Sequence, residues 1–172
     1  MLSIAFKEWA VICQALAEGR QALILRKGGI AEEGGEFKPE HSEFLLYPTH
    51  FHEHRAGVKP AFASLFDAAE AQRPPAGVIR FTHLVRVESV DYAADLDAAL
   101  ALDAQHAWTP EVVRQRFHYR APGLFVLRVK AFALARPVEV VERPEFAGCK
   151  TWVPLCAPVE TAGATPVPTE PR

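Results

Sequence analysis

Three histidines occupy alternate positions in one short segment, Pro48-Thr49-His50-Phe51-His52-Glu53-His54. In an extended chain, residues two apart project to the same side, so His50, His52 and His54 would present their imidazoles together, with Glu53 turned away. Three imidazoles on one face form a donor set for one divalent transition metal, and His41 upstream is a candidate fourth ligand. A metal held there would support a hydrolase or nuclease with Glu53 or Glu43 as general base. A loop that follows a proline also accounts for alternate histidines, as solvated polar side chains that bind no metal. That is the first expectation, with no cofactor, and the metal site is the alternative.

Two basic features point to a different chemistry. Arg26-Lys27-Gly28-Gly29 places two cations beside glycines whose backbone N–H groups can face a phosphate. Further on, Arg114, Arg116, His118 and Arg120 fall on one expected helix, with Arg128 and Lys130 on a strand behind it and Trp108 just before it. Clustered cations beside an aromatic suit backbone contacts and base stacking. The alternative is a solvated helix face balanced by Asp95, Asp97 and Asp103. The expected nucleic-acid-binding residues are Arg26, Lys27, Arg114 and Arg116 for phosphates, with Tyr47, His50 and Trp108 lining a pocket.

Composition narrows the classes. The chain has 172 residues, 49% of them hydrophobic and 23% charged, which is ordinary globular content for one domain. A net charge of -2 gives no general attraction to nucleic acid or anionic lipid, so binding of either must use a local patch. The start, Met1–Phe6 followed by Lys7 and Glu8, lacks a signal pattern. The longest apolar run, Leu124–Ala135, is broken by Arg128 and Lys130, and no membrane partner is expected. Three cysteines without framework spacing imply reduced thiols in a cytoplasm, with Cys149 and Cys156 read as buried. The absence of asparagine and the abundance of alanine suggest a GC-rich bacterium. No H-E-x-x-H, G-x-S-x-G, G-x-G-x-x-G or Walker motif is present. Glu36-Phe37-Lys38 matches the E-x-K of restriction-type nucleases but lies in a glycine loop with no acidic strand end before it.

The elements that must position these residues follow from periodicity. Residues 6–26 form either a hairpin or a helix–strand pair, with the hairpin preferred because a helix would leave Val11 and Ile12 on its wet face. Ile30–Glu33, bracketed by Gly28-Gly29 and Gly34-Gly35, is expected to be a mobile acidic loop. Glu43–Tyr47 is a short buried strand stopped by Pro48. Ala61–Gln72 is a helix ended by Pro74-Pro75 and Gly77. Val78–Val90 alternates as a strand, and Ala93–Gln105 is expected to be helical. Thr109-Pro110-Glu111 is a helix start, and the helix runs to about Tyr119. Leu124–Ala135 and Val138–Val141 are strands. Residues 1–156 then form one α+β domain with a curved, mostly antiparallel sheet, and the Pro/Thr/Ala-rich residues 157–172 form a disordered tail.

Three segments in order, FKEWAVICQAL…LILRKGGI, HSEFLLYPTHFH and EFAGCKTWVPL, resemble an uncharacterised bacterial family, domain of unknown function 1802, from Phe6 to Leu155. The resemblance brings no established activity. It implies a part in DNA restriction or defence, because the domain accompanies a restriction-endonuclease domain; a chain without that nuclease would keep the recognition half, with a nuclease as a partner protein. The opening strand–turn–strand superficially resembles the start of a Nudix hydrolase, but Ala61–Gln72 offers only Asp67 and Glu70 in place of that family's glutamate-rich helix. The strands RFTHLVRVESV and LFVLRVKAFALARPVEV resemble those of PUA-like domains of the ASCH and EVE kind, small β-barrels with helices at the rim. That likeness implies a domain that binds DNA or RNA, including modified bases, in a pocket. The expected function is therefore nucleic-acid recognition without catalysis. The metal-dependent hydrolase and a protein-interaction module are the alternatives.

Overall fold

The computed structural model describes residues 1–27, 30–33, 36–50, 54–148 and 150–169. The elements run β1 Leu2–Trp9, α1 Ala10–Ala17, β2 Leu23–Arg26, β3 Ile30–Glu33, β4 Glu36–Pro39, β5 Glu43–Thr49, α2 Ala63–Ala71, β6 Val78–Ala93, α3 Leu96–Leu100, α4 Pro110–His118, β7 Leu124–Val141, β8 Trp152–Val159 and β9 Thr165–Pro166. The main sheet has the order β2-β7-β6-β5-β1-β8, with β9 added to β7. Every pairing in it is antiparallel except β1 with β5, which run parallel with Lys7 opposite Tyr47 and Trp9 opposite Thr49. The sheet is open rather than closed, so the architecture is the curved α+β sheet of the first expectation and not a barrel. No helix among the described residues is long and apolar enough to cross a membrane.

Alternation along the central strands builds two cores, one on each face of the sheet. Phe6, Phe44 and Leu46 face a core shared with α1 and α4, while Ala5, Leu45 and Tyr47 face one shared with Phe81, Phe146 and Val153. Strands buried on both faces read as nearly continuous apolar runs, which is why FLLY shows no polar alternation. Register shifts in the long β6–β7 ribbon, between Phe81 and His83 and between Val87 and Ser89, bend it. The first of them lies opposite Pro137, so β7 continues through a residue that cannot donate to the ladder.

Four expectations are corrected here. Residues 10–17 are a helix rather than a strand of a hairpin. Ala10, Val11, Ile12, Cys13, Ala15 and Leu16 are all buried, because α2 covers the side of α1 turned away from the sheet and leaves only Gln14 and Ala17 partly exposed. Ile30–Glu33 and Glu36–Pro39 pair antiparallel as β3 and β4. Helix in the 93–105 region is broken into α3 and a 3-10 turn at Asp103–Gln105, and the Asp95 side chain accepts from the Ala98 N–H at 2.8 Å and fixes the start of α3. Residues 157–159 and 165–167, placed in the expected tail, are built into the sheet. β8 runs to Val159, Phe132 and Ala133 pair with Pro166 and Thr165, and the Val167 N–H donates to Ala131.

That last segment crosses the turn after α1, where Gly19 has φ +69° and a Cβ would stand 1.9 Å from the Pro168 carbonyl oxygen. Gly19→Ala is therefore expected to cost about 1–2 kcal/mol and to expose residues 164–168 to proteolysis. A variant as stable and as protease-resistant as the parent would show that the segment is not held there.

Candidate nucleic-acid interface

β1 and β5 end side by side, and their carboxyl ends open into a cleft of about 790 Å³. Lys7, Glu8 and Trp9 enter it from β1, and Tyr47, Thr49 and His50 from the end of β5. Arg26 comes from β2 and Arg116 from α4, the turn 73–78 forms one wall, and Glu142, Gly148 and Lys150 form the other. Parallel strands place their carboxyl ends together, and the space beyond them is where open mixed sheets hold ligands.

The floor is an ion cluster. Glu8 is only 2% exposed, and its Oε1 accepts from the Trp9 backbone N–H at 2.8 Å. Arg26 Nη1 lies 3.5 Å from Glu8 Oε2, and Arg116 Nη2 lies 3.8 Å from Oε1. Arg26 also donates to Thr151 Oγ1 at 2.8 Å and to the Lys7 carbonyl at 3.3 Å, and its guanidinium covers the Phe6 ring. Arg116 donates to the Leu25 carbonyl at 3.1 Å and packs on both Trp9 and Trp108. Burial lowers the Arg116 pKa, with Glu8 opposing and Arg26 adding to the effect; an arginine remains a cation at neutral pH.

Above the floor, the Lys7 ammonium donates to the carbonyls of Phe146 and Gly148 and lies 5.3 Å from the Tyr47 ring centre. Tyr47 is 4% exposed and donates its hydroxyl to Glu142 Oε1 at 3.1 Å. Burial and that carboxylate together raise its pKa well above the usual phenol range. His50 Nδ1 stands 3.6 Å from Glu70 Oε2. Burial, and secondarily Arg73, lower its pKa against the pull of Glu70, which favours a neutral imidazole.

Of the residues singled out from the sequence, Arg26, Tyr47, His50 and Arg116 meet in this cleft. Lys27 does not; its ammonium donates to the carbonyls of Phe117, Ala121 and Gly123, closing the end of α4. Trp108 is fully buried under Arg116, so its ring is core rather than a stacking surface. Arg114 is exposed on the outside of α4, and Arg128 pairs instead with Asp91 and Gln105. The expected patch on α4 is thus divided, because Arg116 points inward while Arg114 points out.

The histidines do not assemble either. His41 packs edge-on against Trp152, His50 faces Glu70, and His54 lies against Trp9. His52 and Glu53 lie outside the described residues, and among the described residues no three His, Cys, Asp or Glu side chains are grouped to hold a metal. Cys156 is exposed rather than buried, because β8 is the sheet edge and this position faces outward; Cys149 lies outside the described residues.

Lys7, Glu8, Trp9, Arg73, Glu142 and Lys150 complete the cleft and were not singled out from the sequence. One signal was available for Glu8. A carboxylate between Phe6 and a run as apolar as Trp9–Cys13 must be buried, and a buried carboxylate requires cationic partners.

No curated protein matches this chain. Among solved structures, the ASCH protein from Zymomonas mobilis aligns with a TM-score of 0.53 at 12% identity, over 88% of this chain and 86% of that one. Two variants of that protein, one with a tyrosine-to-phenylalanine change and one with a serine-to-alanine change, align with TM-scores of 0.52 and 0.53 at 10% identity. They cover 88% and 87% of their own chains and 88% of this one. At such identity the likeness carries the fold, an α+β fold similar to the PUA-like ASCH domains. A family model describing a domain of unknown function, DUF1802, matches residues 5–172, and this chain belongs to that family.

Proposed function

We propose that this domain recognises nucleic acid in the cleft at the ends of β1 and β5. The observation that carries the reading is local charge. Among the described residues, Lys7, Arg26, Arg73, Arg116 and Lys150 line the cleft against Glu8 and Glu142, with Glu70 beside it paired to Arg73 at 3.2 Å, on a chain whose net charge is -2. A cationic recess on a neutral-to-acidic surface concentrates the field where a phosphate would sit. The half-buried Trp9 and His50 at the same opening offer ring surfaces to a base. The PUA-like fold supports the reading only as an analogy of architecture.

The measurement is fluorescence anisotropy of labelled single-stranded RNA and DNA across about 50 to 300 mM salt. Affinity should fall with a logarithmic slope of about -2, the value for roughly three neutralised phosphates on a single strand. Lys150→Ala and Arg73→Ala, at the rim, should each make that slope shallower by about 0.7. Binding indifferent to salt, or no binding at all, would refute the proposal.

A further inference from the structure

We infer that the cleft is built for a phosphate monoester, the charged end of a nucleic-acid strand or of a mononucleotide, rather than for the internal phosphates of a strand lying across it. The inference rests on the nucleic-acid reading and specifies its ligand. Two guanidiniums share one carboxylate on the floor: Arg26 and Arg116 both turn to Glu8, at 3.5 and 3.8 Å. Neither is well exposed, with side chains at 19% and 21%. One positive charge in the recess is therefore left without an anion, an arrangement that is costly until an anion enters.

The donors needed to receive that anion are present. Every hydrogen bond and ion pair of the two guanidiniums among the described residues runs through Nη atoms, leaving both Nε–H groups without an acceptor there. An Nε/Nη edge is the fork that takes two oxygens of one phosphate. An internal phosphodiester carries one charge and a nucleoside on each side, so it reaches cations spread along an open groove. A terminal monoester carries nearly two charges at neutral pH, three free oxygens and a single substituent. It can enter end-on to a recessed arginine pair, where Lys7 and Lys150 above the floor add to the one positive charge left on it.

The test compares one single-stranded sequence carrying a 5′-phosphate, a 3′-phosphate or no terminal phosphate, at constant ionic strength, with a mononucleotide as competitor. One of the phosphorylated strands should bind at least about tenfold more tightly than the strand without a terminal phosphate, and the mononucleotide should displace it. Arg26→Gln should bring that ratio towards one. If this variant does not fold, the comparison on the parent protein decides alone. Equal affinity for all three strands would overturn the inference while leaving nucleic-acid recognition standing. Failure of every strand to bind while the mononucleotide binds would keep the monoester site and sink the nucleic-acid reading. If neither binds, both are wrong.

Discussion

Replacing Glu8 with alanine should destabilise the protein by about 3 kcal/mol, and added phosphate should recover more stability in the variant than it gives the parent. Among the described residues, Glu8 is the only carboxylate that Arg26 and Arg116 reach, and its Oε1 also accepts the Trp9 N–H. Without it, two partly buried cations face each other with no anion between them, and a backbone donor loses its acceptor. Phosphate stabilises most folded proteins by exclusion from their surface, so the informative quantity is the difference between variant and parent. Glu8→Gln separates charge from shape, because the amide oxygen still accepts from Trp9 while the carboxylate charge is gone. Denaturant unfolding of all three proteins in phosphate and in chloride, at matched ionic strength, provides the comparison. If phosphate raised the stability of Glu8→Ala and parent equally, the space between the guanidiniums would not be an anion site.

Acid should weaken the fold through a second buried group. His106 is 1% exposed, and neither ring nitrogen has a hydrogen-bond partner among the described residues. Burial, with Lys59 adding to it and Asp103 opposing, lowers its pKa to about 4 from the ordinary 6.5. The folded protein therefore holds His106 neutral, while between those values the unfolded chain takes up the proton. Stability from this group is complete above about pH 6.5 and declines as the pH falls towards 4, by about 3 kcal/mol in total. His50 and His83, whose pKa values burial also lowers, act in the same direction. His106→Leu should remove most of the His106 share, so that the unfolding free energy of the variant rises relative to that of the parent as the pH falls from 7 to 4. Carboxylates titrate in both proteins and cancel from the difference. Parallel pH profiles would mean that His106 is as easily protonated in the folded state as in the unfolded one.

Local signals were legible because they act over a few residues. Thr109, Pro110 and Glu111 start α4 where expected, with Thr109 accepting from the Val112 N–H, since a cap needs only the next turn. The β6 and β7 strands and the α2 helix followed from period and from their glycine and proline stops. The order of three sequence segments also carried the family, and the strand pattern carried the PUA-like architecture.

The misreadings have two causes, of which the first is burial that removes the polar stripe marking an element. α1 keeps only Gln14 and Ala17 partly exposed because α2 and the sheet enclose the rest, so its periodicity is hidden. The segment after Val159 has a composition suggesting disorder, yet its backbone pairs with β7 and Val167 packs on the core. A strand edge satisfies backbone groups whatever the side chains are.

By itself, then, the sequence determined the α+β class, the caps and breaks, the family, and the presence of cations and aromatics suited to nucleic acid. Only the tertiary structure decided which of them form a site. Lys7 reaches the carbonyl of Phe146 and Arg26 reaches Thr151, while Lys27, next in the chain to Arg26, is committed to the end of α4. Lys27 lies one position past the end of β2, so one position's difference separates a cleft arginine from a capping lysine. The contacts of Lys7 with Phe146, of Arg26 with Thr151 and of Lys27 with Ala121 span more than ninety residues, which no local pattern encodes.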